Sequence, residues 1–175
     1  MKRFTQLFLF GLILLAACTA VPTLAETDEV AIYTAVIEQL YTQDDTFGGT
    51  FNAPDLYILT ETDDSVGDPE IEQSDSKTIG QTVQTKITDA LSHLPTNIVW
   101  VVAETAVPTD STTGTVANNG AILTLGNIHG QRNGTVLVSG SIYISALAAG
   151  GQTYILEKVN GIWQISGTSG ARWVS

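Results

Sequence analysis

The sequence predicts an α+β domain: an N-terminal helix, one βαβ unit, then a long bent antiparallel meander of four to five strands. Three observations carry this. Tyr33, Val36, Ile37, Leu40 and Tyr41 recur at helical spacing. Apolar runs at 56–60 and 98–103 flank a second helical stripe. From residue 121 onward the pattern is wholly period-two and punctuated by glycine pairs.

In the first helix, Thr27 is the expected cap, and Asp28 and Glu29 favour the positive end of the dipole. The run 56–60 is a short strand. Ile79, Val83, Ile87, Ala90, Leu91 and Leu94 mark the second helix, which Pro95 stops. The run 98–103 is nearly continuous in apolar residues, as strands buried on both faces are. Strand, helix and strand form the βαβ unit.

The meander is read as strands 121–128, 135–147, 152–159 and 162–166, with 171–175 as an added edge strand. Asn133-Gly134, Gly150-Gly151 and Asn160-Gly161 lie between them. Asn-Gly fits a type I′ hairpin turn, which needs positive φ at both central residues. A two-residue loop at Asn160-Gly161 sets Val159 opposite Ile162, Lys158 opposite Trp163, Leu156 opposite Ile165 and Tyr154 opposite Gly167. Tyr154, Leu156, Trp163 and Ile165 then share the core face, with Glu157 and Gln164 on the other. Gly140 implies a bulge or bend within its strand. Helix, βαβ unit and bent meander together resemble the cone-shaped NTF2-like and cystatin-like folds. That resemblance implies a cavity between sheet and helices.

Lys2-Arg3 and the apolar run 7–15 have the form of an export signal. They end at Leu15-Ala16-Ala17-Cys18, which carries the only cysteine and resembles the lipobox of bacterial lipoproteins. The resemblance implies a diacylglyceryl group on Cys18 and cleavage before it. The chain then divides into a signal peptide (1–17), a tether (18–26) and one domain (27–175). Two acyl chains anchor a protein stably where one does not. Two rival readings stay open: ordinary cleavage after Thr23-Leu24-Ala25, and an uncleaved span over 7–25 that Pro22 makes a poor membrane helix. The lipobox implies location in a bacterial cell envelope, with membrane lipid held through Cys18 and an envelope protein as the further partner class.

Charge narrows the partners. Losing Lys2 and Arg3 with the signal moves the net charge from −11 to −13. The remaining Lys77, Lys86, Arg132, Lys158 and Arg172 are scattered, whereas nucleic-acid binding needs a clustered basic face.

No cofactor, metal or catalytic set is assigned. The loop 61–75 holds seven of the 18 acidic residues, but from Asp63 the third and fifth positions are Ser65 and Gly67, so the EF-hand order fails. It is expected to be a mobile, solvated loop. His93 and His129 are the only histidines, too few for an ordinary zinc site. His93 is placed at the C-terminal end of the second helix, complementing its dipole. Ser74-x-x-Lys77 lacks the companion motifs of its enzyme class. His129 could serve as a base, with Arg132 as an anion ligand and Asp44 or Asp45 as orienting acid; the stretch 126–132 is more simply a hairpin loop. The function expected is a non-enzymatic binding or structural module. The alternative is a small-molecule-binding or enzymatic domain with an enclosed pocket.

Overall fold

The computed structural model describes residues 24–43, 52–68, 70 and 75–175. Helix α1 (Glu26–Thr42) buries Ile32, Tyr33, Val36, Ile37, Leu40 and Tyr41, the stripe its spacing predicts. It begins one residue before Thr27. Ala25 occupies the cap position, and its carbonyl accepts the backbone N–H groups of Asp28 and Glu29 without a side-chain cap. Glu26, Asp28 and Glu29 instead supply negative charge to the first turn.

Strand β1 (Asp55–Leu59), helix α2 (Gln81–Ala90) and strand β2 (Asn97–Val101) form the βαβ unit, with β1 and β2 parallel. β2 is not buried on both faces as its composition suggests. It lies at the sheet edge, half-buried, with Trp100 Nε1 donating to Thr88 Oγ1 of α2. His93 follows α2 by three residues, and its ring nitrogens lie 3.1 Å from Ala90 O and from Glu38 Oε1.

Strand β3 (Ala121–Leu125) pairs in parallel with β1, on the side away from β2. The remainder is antiparallel: β4 (His129–Gly130), β5 (Val136–Ser145), β6 (Ala148–Val159) and β7 (Ile162–Val174). The result is a mixed, open seven-stranded sheet in the order β2-β1-β3-β5-β6-β7, with β4 pairing the start of β5.

One face of the sheet meets both helices, where Leu56, Ile58, Leu123, Leu125, Val138, Ile142, Tyr154 and Leu156 are buried. The opposite face carries a smaller cluster of Val107, Val116 and Ile122, with Tyr57, Leu59, Val101 and Tyr143 packed on it.

The meander departs from its sequence reading where glycine serves close approach rather than turning. Gly150 and Gly151 lie inside β6, paired with Ile142 and Ser141. A Cβ on Gly151 would stand 2.1 Å from Val66 O and 2.7 Å from Trp173 Nε1, so the strand is bare where a loop crosses it. The chain turns at Ala146 and Leu147 instead. Gly140 keeps its place in the ladder opposite Gln152, and the irregularity falls between Tyr143 and Ser145. Gly140 makes room for Leu40, Val36 and Tyr154, whose nearest atoms lie 2.9, 3.1 and 3.4 Å from the Cβ it lacks.

The β6–β7 hairpin has its expected register from Val159↔Ile162 to Leu156↔Ile165, with positive φ at Asn160 and Gly161. Beyond that, a bulge shifts Ile155 to Gly167, so Tyr154 pairs Thr168 rather than Gly167. The segment 171–175 is no separate edge strand, since β7 continues through a second irregularity to Val174.

Candidate functional site

The acidic loop after β1 does not behave as a uniformly solvated segment. Asp63 Oδ1 accepts from Ser65 N at 2.9 Å and Ser65 Oγ at 2.6 Å, closing a 3-10 turn over Asp64–Val66. Asp63 N donates to Leu125 O at 2.8 Å, which fastens the turn to the end of β3. The turn carries Asp64 inward, where its side chain is only 8% exposed.

The buried carboxylate is met by donors, which is what keeps a buried charge tolerable. Asp64 Oδ1 accepts from Asn127 N at 2.7 Å, and Oδ2 accepts from Asn127 Nδ2 at 3.1 Å. His129 Nε2 lies 2.8 Å from Oδ2. A carboxylate only accepts, so the network assigns the proton to Nε2. Gly126 permits this approach, because a Cβ there would lie 2.7 Å from Asp64 Oδ1.

Asn127 extends the network in both directions. Its Oδ1 accepts from Thr62 Oγ1 at 2.9 Å, and its Nδ2 also donates to Asp75 O at 3.0 Å. Thr62 Oγ1 accepts in turn from Lys77 N at 2.9 Å. From the helix side, Tyr33 OH donates to Gly126 O at 3.2 Å. Burial, joined by the charges of Glu29 and Asp64, pushes the Tyr33 phenol well above its ordinary range. Burial, and then Glu26, raise the Glu29 carboxyl.

Among the described residues the acid on His129 is Asp64. Asp44, Asp45 and Ser74 lie outside the described residues, as does Cys18. Nor is 126–132 simply a hairpin loop. His129 and Gly130 form β4 opposite Leu137 and Val136, and the turn falls at 131–134. Asp64, Thr62 and Asn127 were not legible as a set, because the residues joined lie 63 and 65 positions apart. The one local signal was the spacing of Asn127 and His129, which puts both on one face of an extended chain.

Chemically, the arrangement orients an imidazole against a buried carboxylate, the supporting half of a general-base pair. The ring is 51% exposed. The other half of such a site is missing among the described residues, where no Ser, Thr or Cys hydrogen-bonds the ring's second nitrogen. Nor do three or more His, Cys, Asp or Glu groups converge there for a metal.

A second feature lies between α1 and the β6–β7 hairpin: a surface cleft of about 620 Å³ lined by Val30, Thr34, Glu38, Ile162 and Trp163, among others. At its edge Lys158 Nζ and Trp163 Nε1 donate to Asp28 Oδ1 at 2.6 and 2.9 Å. The Lys158 hydrogen bond, then that of Trp163, lower the Asp28 carboxyl below its ordinary value.

Comparison with known proteins finds no matching family, no similar curated protein and no similar solved structure. Among the described residues no helix is long and apolar enough to cross a membrane.

Proposed function

We propose that this chain is an exported lipoprotein of the bacterial cell envelope, held by a diacylated Cys18, whose domain acts as a non-enzymatic binding or structural module toward another envelope component. The observation that carries it is Leu15-Ala16-Ala17-Cys18 after Lys2-Arg3 and an apolar run. The described fold supports the reading in two ways. α1 begins at Glu26, eight residues after Cys18, so a short tether joins anchor and domain. The polar groups of Asp64, Asn127 and Thr62 are used in fastening a loop to β3 and β4, which is a structural task.

Metabolic labelling with a palmitate analogue tests the anchor. The wild type should take the label and sediment with membranes. Cys18→Ser should lose both, and a labelled Cys18→Ser variant would end the reading.

A second reading, a small-molecule-binding or enzymatic domain of NTF2-like form, takes its support from His129, oriented by a buried carboxylate and half open to water. The finer fold assignment belongs to this reading, and the irregularities in β5, β6 and β7 favour the curvature a cone needs. It requires an enclosed cavity under Tyr154 and Leu156. The first reading is preferred because α1 fills that face, with Val36 and Leu40 packed against Gly140.

A further inference from the structure

The end of the domain at which α1 begins also carries two exposed apolar side chains. At the tip of the β6–β7 hairpin, Ile162 is 63% exposed and Val159 37%. A turn of the Asn160-Gly161 type needs nothing apolar at those flanking positions, and among the described residues both side chains stay partly open, Ile162 the more so. The tip is held rigidly. Lys158 and Trp163, which flank it, both bond Asp28 in the first turn of α1, and the ammonium stands 5.7 Å from the indole centroid.

Asp28 is ten residues from Cys18 in sequence, and the eight steps from Cys18 to Glu26 span at most about 29 Å fully extended. The acyl chains on Cys18 therefore confine the N-terminal end of α1, and with it the hairpin tip, to the neighbourhood of the bilayer. β6 has 12 residues, so its other end, where Leu147 is 88% exposed, stands roughly 37 Å from the tip. What suits the near end to a lipid interface is the pair of aliphatic side chains at the tip, which the Lys158 and Trp163 hydrogen bonds to Asp28 fix beside the first turn of α1.

We infer that the β6–β7 hairpin tip is the face this domain lays on the membrane, with Val159 and Ile162 entering the interfacial layer and the β5–β6 turn directed away from it. The inference rests on the lipoprotein reading and adds an orientation to it. The occupant is the bilayer that holds the acyl chains. The acidic surface makes zwitterionic headgroups the favoured neighbours, since with the signal removed the net charge is −13.

The test uses the lipidated full-length chain. Ile162→Cys and Leu147→Cys each add one thiol beside the acylated Cys18, and both sites are exposed enough for an environment-sensitive fluorophore. Each labelled protein is reconstituted in phosphatidylcholine vesicles, with or without a lipid spin-labelled near the headgroup. The acyl mass on Cys18 and co-flotation with vesicles are measured on the same samples. The expected result is at least twofold stronger quenching at position 162 than at 147. Equal quenching, or stronger quenching at 147, on a chain that carries lipid and floats would overturn the orientation alone. A chain with an unmodified Cys18 would overturn the orientation together with the lipoprotein reading.

Discussion

The carboxylate of Asp64 lies 2.8 Å from Nε2 of His129 across a boundary between protein interior and water: the acid side chain is 8% exposed, the imidazole 51%. The two groups thus play unequal parts. Asp64 is the buried charge whose donors must be kept, whereas His129 contributes one of its donors from a position water can replace. The inward 3-10 turn, the bare Gly126 and the amide of Asn127 all serve the same carboxylate.

Asp64→Asn should therefore destabilise the domain by about 2–3 kcal/mol, since it removes charge-assisted hydrogen bonds and sets an amide N–H₂ against other donors. His129→Ala should cost about 1 kcal/mol or less, because the exposed ring's bond exchanges for one to water. Urea melts of the two variants, made without the first 18 residues, give the comparison. Equal losses would mean that the imidazole, and not the Asn127 amide, is the principal partner.

Two neighbours on α1 should respond to pH in opposite senses. The folded carboxyl of Asp28 is lowered by Lys158 and Trp163. Its contribution is full above the unfolded value near 3.8 and is lost as pH falls through the lower folded value. Asp28→Asn should thus cost about 1 kcal/mol at pH 7, a loss that shrinks toward zero as pH falls through the lowered folded value. Glu29 is raised by burial, so its contribution is full below the unfolded value near 4.5 and is lost as pH rises through the folded one. Glu29→Gln should accordingly raise the midpoint at pH 7 and leave it unchanged below pH 4. Parallel pH profiles for the two variants would contradict this sign assignment.

The physics of what was legible is local. The α1 stripe, the strand–helix–strand order around α2 and the first rungs of the Asn160-Gly161 ladder follow from periodicity and turn chemistry, which a short window contains. What escaped is set by partners far away in sequence. Gly150-Gly151 has the composition of a turn, yet Val66 and Trp173 decide its conformation. Asp64 sits in a run of acids whose average belongs to solvent, and partners such as Asn127 and His129, 63 and 65 positions on, make it a buried hub.

The glycine reading can be checked at Gly151. An added Cβ would overlap Val66 O, which is backbone and cannot swing aside, and would press on the indole that donates to it at 2.8 Å. Gly151→Ala should cost about 1–3 kcal/mol, the range for overpacking, and should shift Trp173 emission as its hydrogen bond is lost. Gly80→Ala is the control. Nothing lies within 4 Å of its Cβ position, so its effect should be confined to the poorer N-cap that Ala gives α2, about 1 kcal/mol or less, with no change in Trp173 emission.

The two faces of β7 should differ in what a truncation costs. Trp163 lies on the helix side, packed on the core and bonded to Asp28, while Gln164 points the other way and is exposed. Complete burial of a tryptophan would make its truncation cost about 3–5 kcal/mol. Here the indole is half-buried on an edge strand, so part of its surface stays in water in either state, and truncation also releases only one hydrogen bond. Trp163→Ala should therefore cost about 1–3 kcal/mol and leave a folded domain. Gln164→Ala should change stability by about 0.5 kcal/mol or less. The contrast between the two is the informative quantity, because the pairing Lys158↔Trp163 fixes which face each occupies. A slip of one residue at the turn would exchange the faces of the whole first half of β7. Gln164→Ala would then be the costly change, and denaturant midpoints that rank the variants in that order would place the register of this hairpin one residue from where it stands.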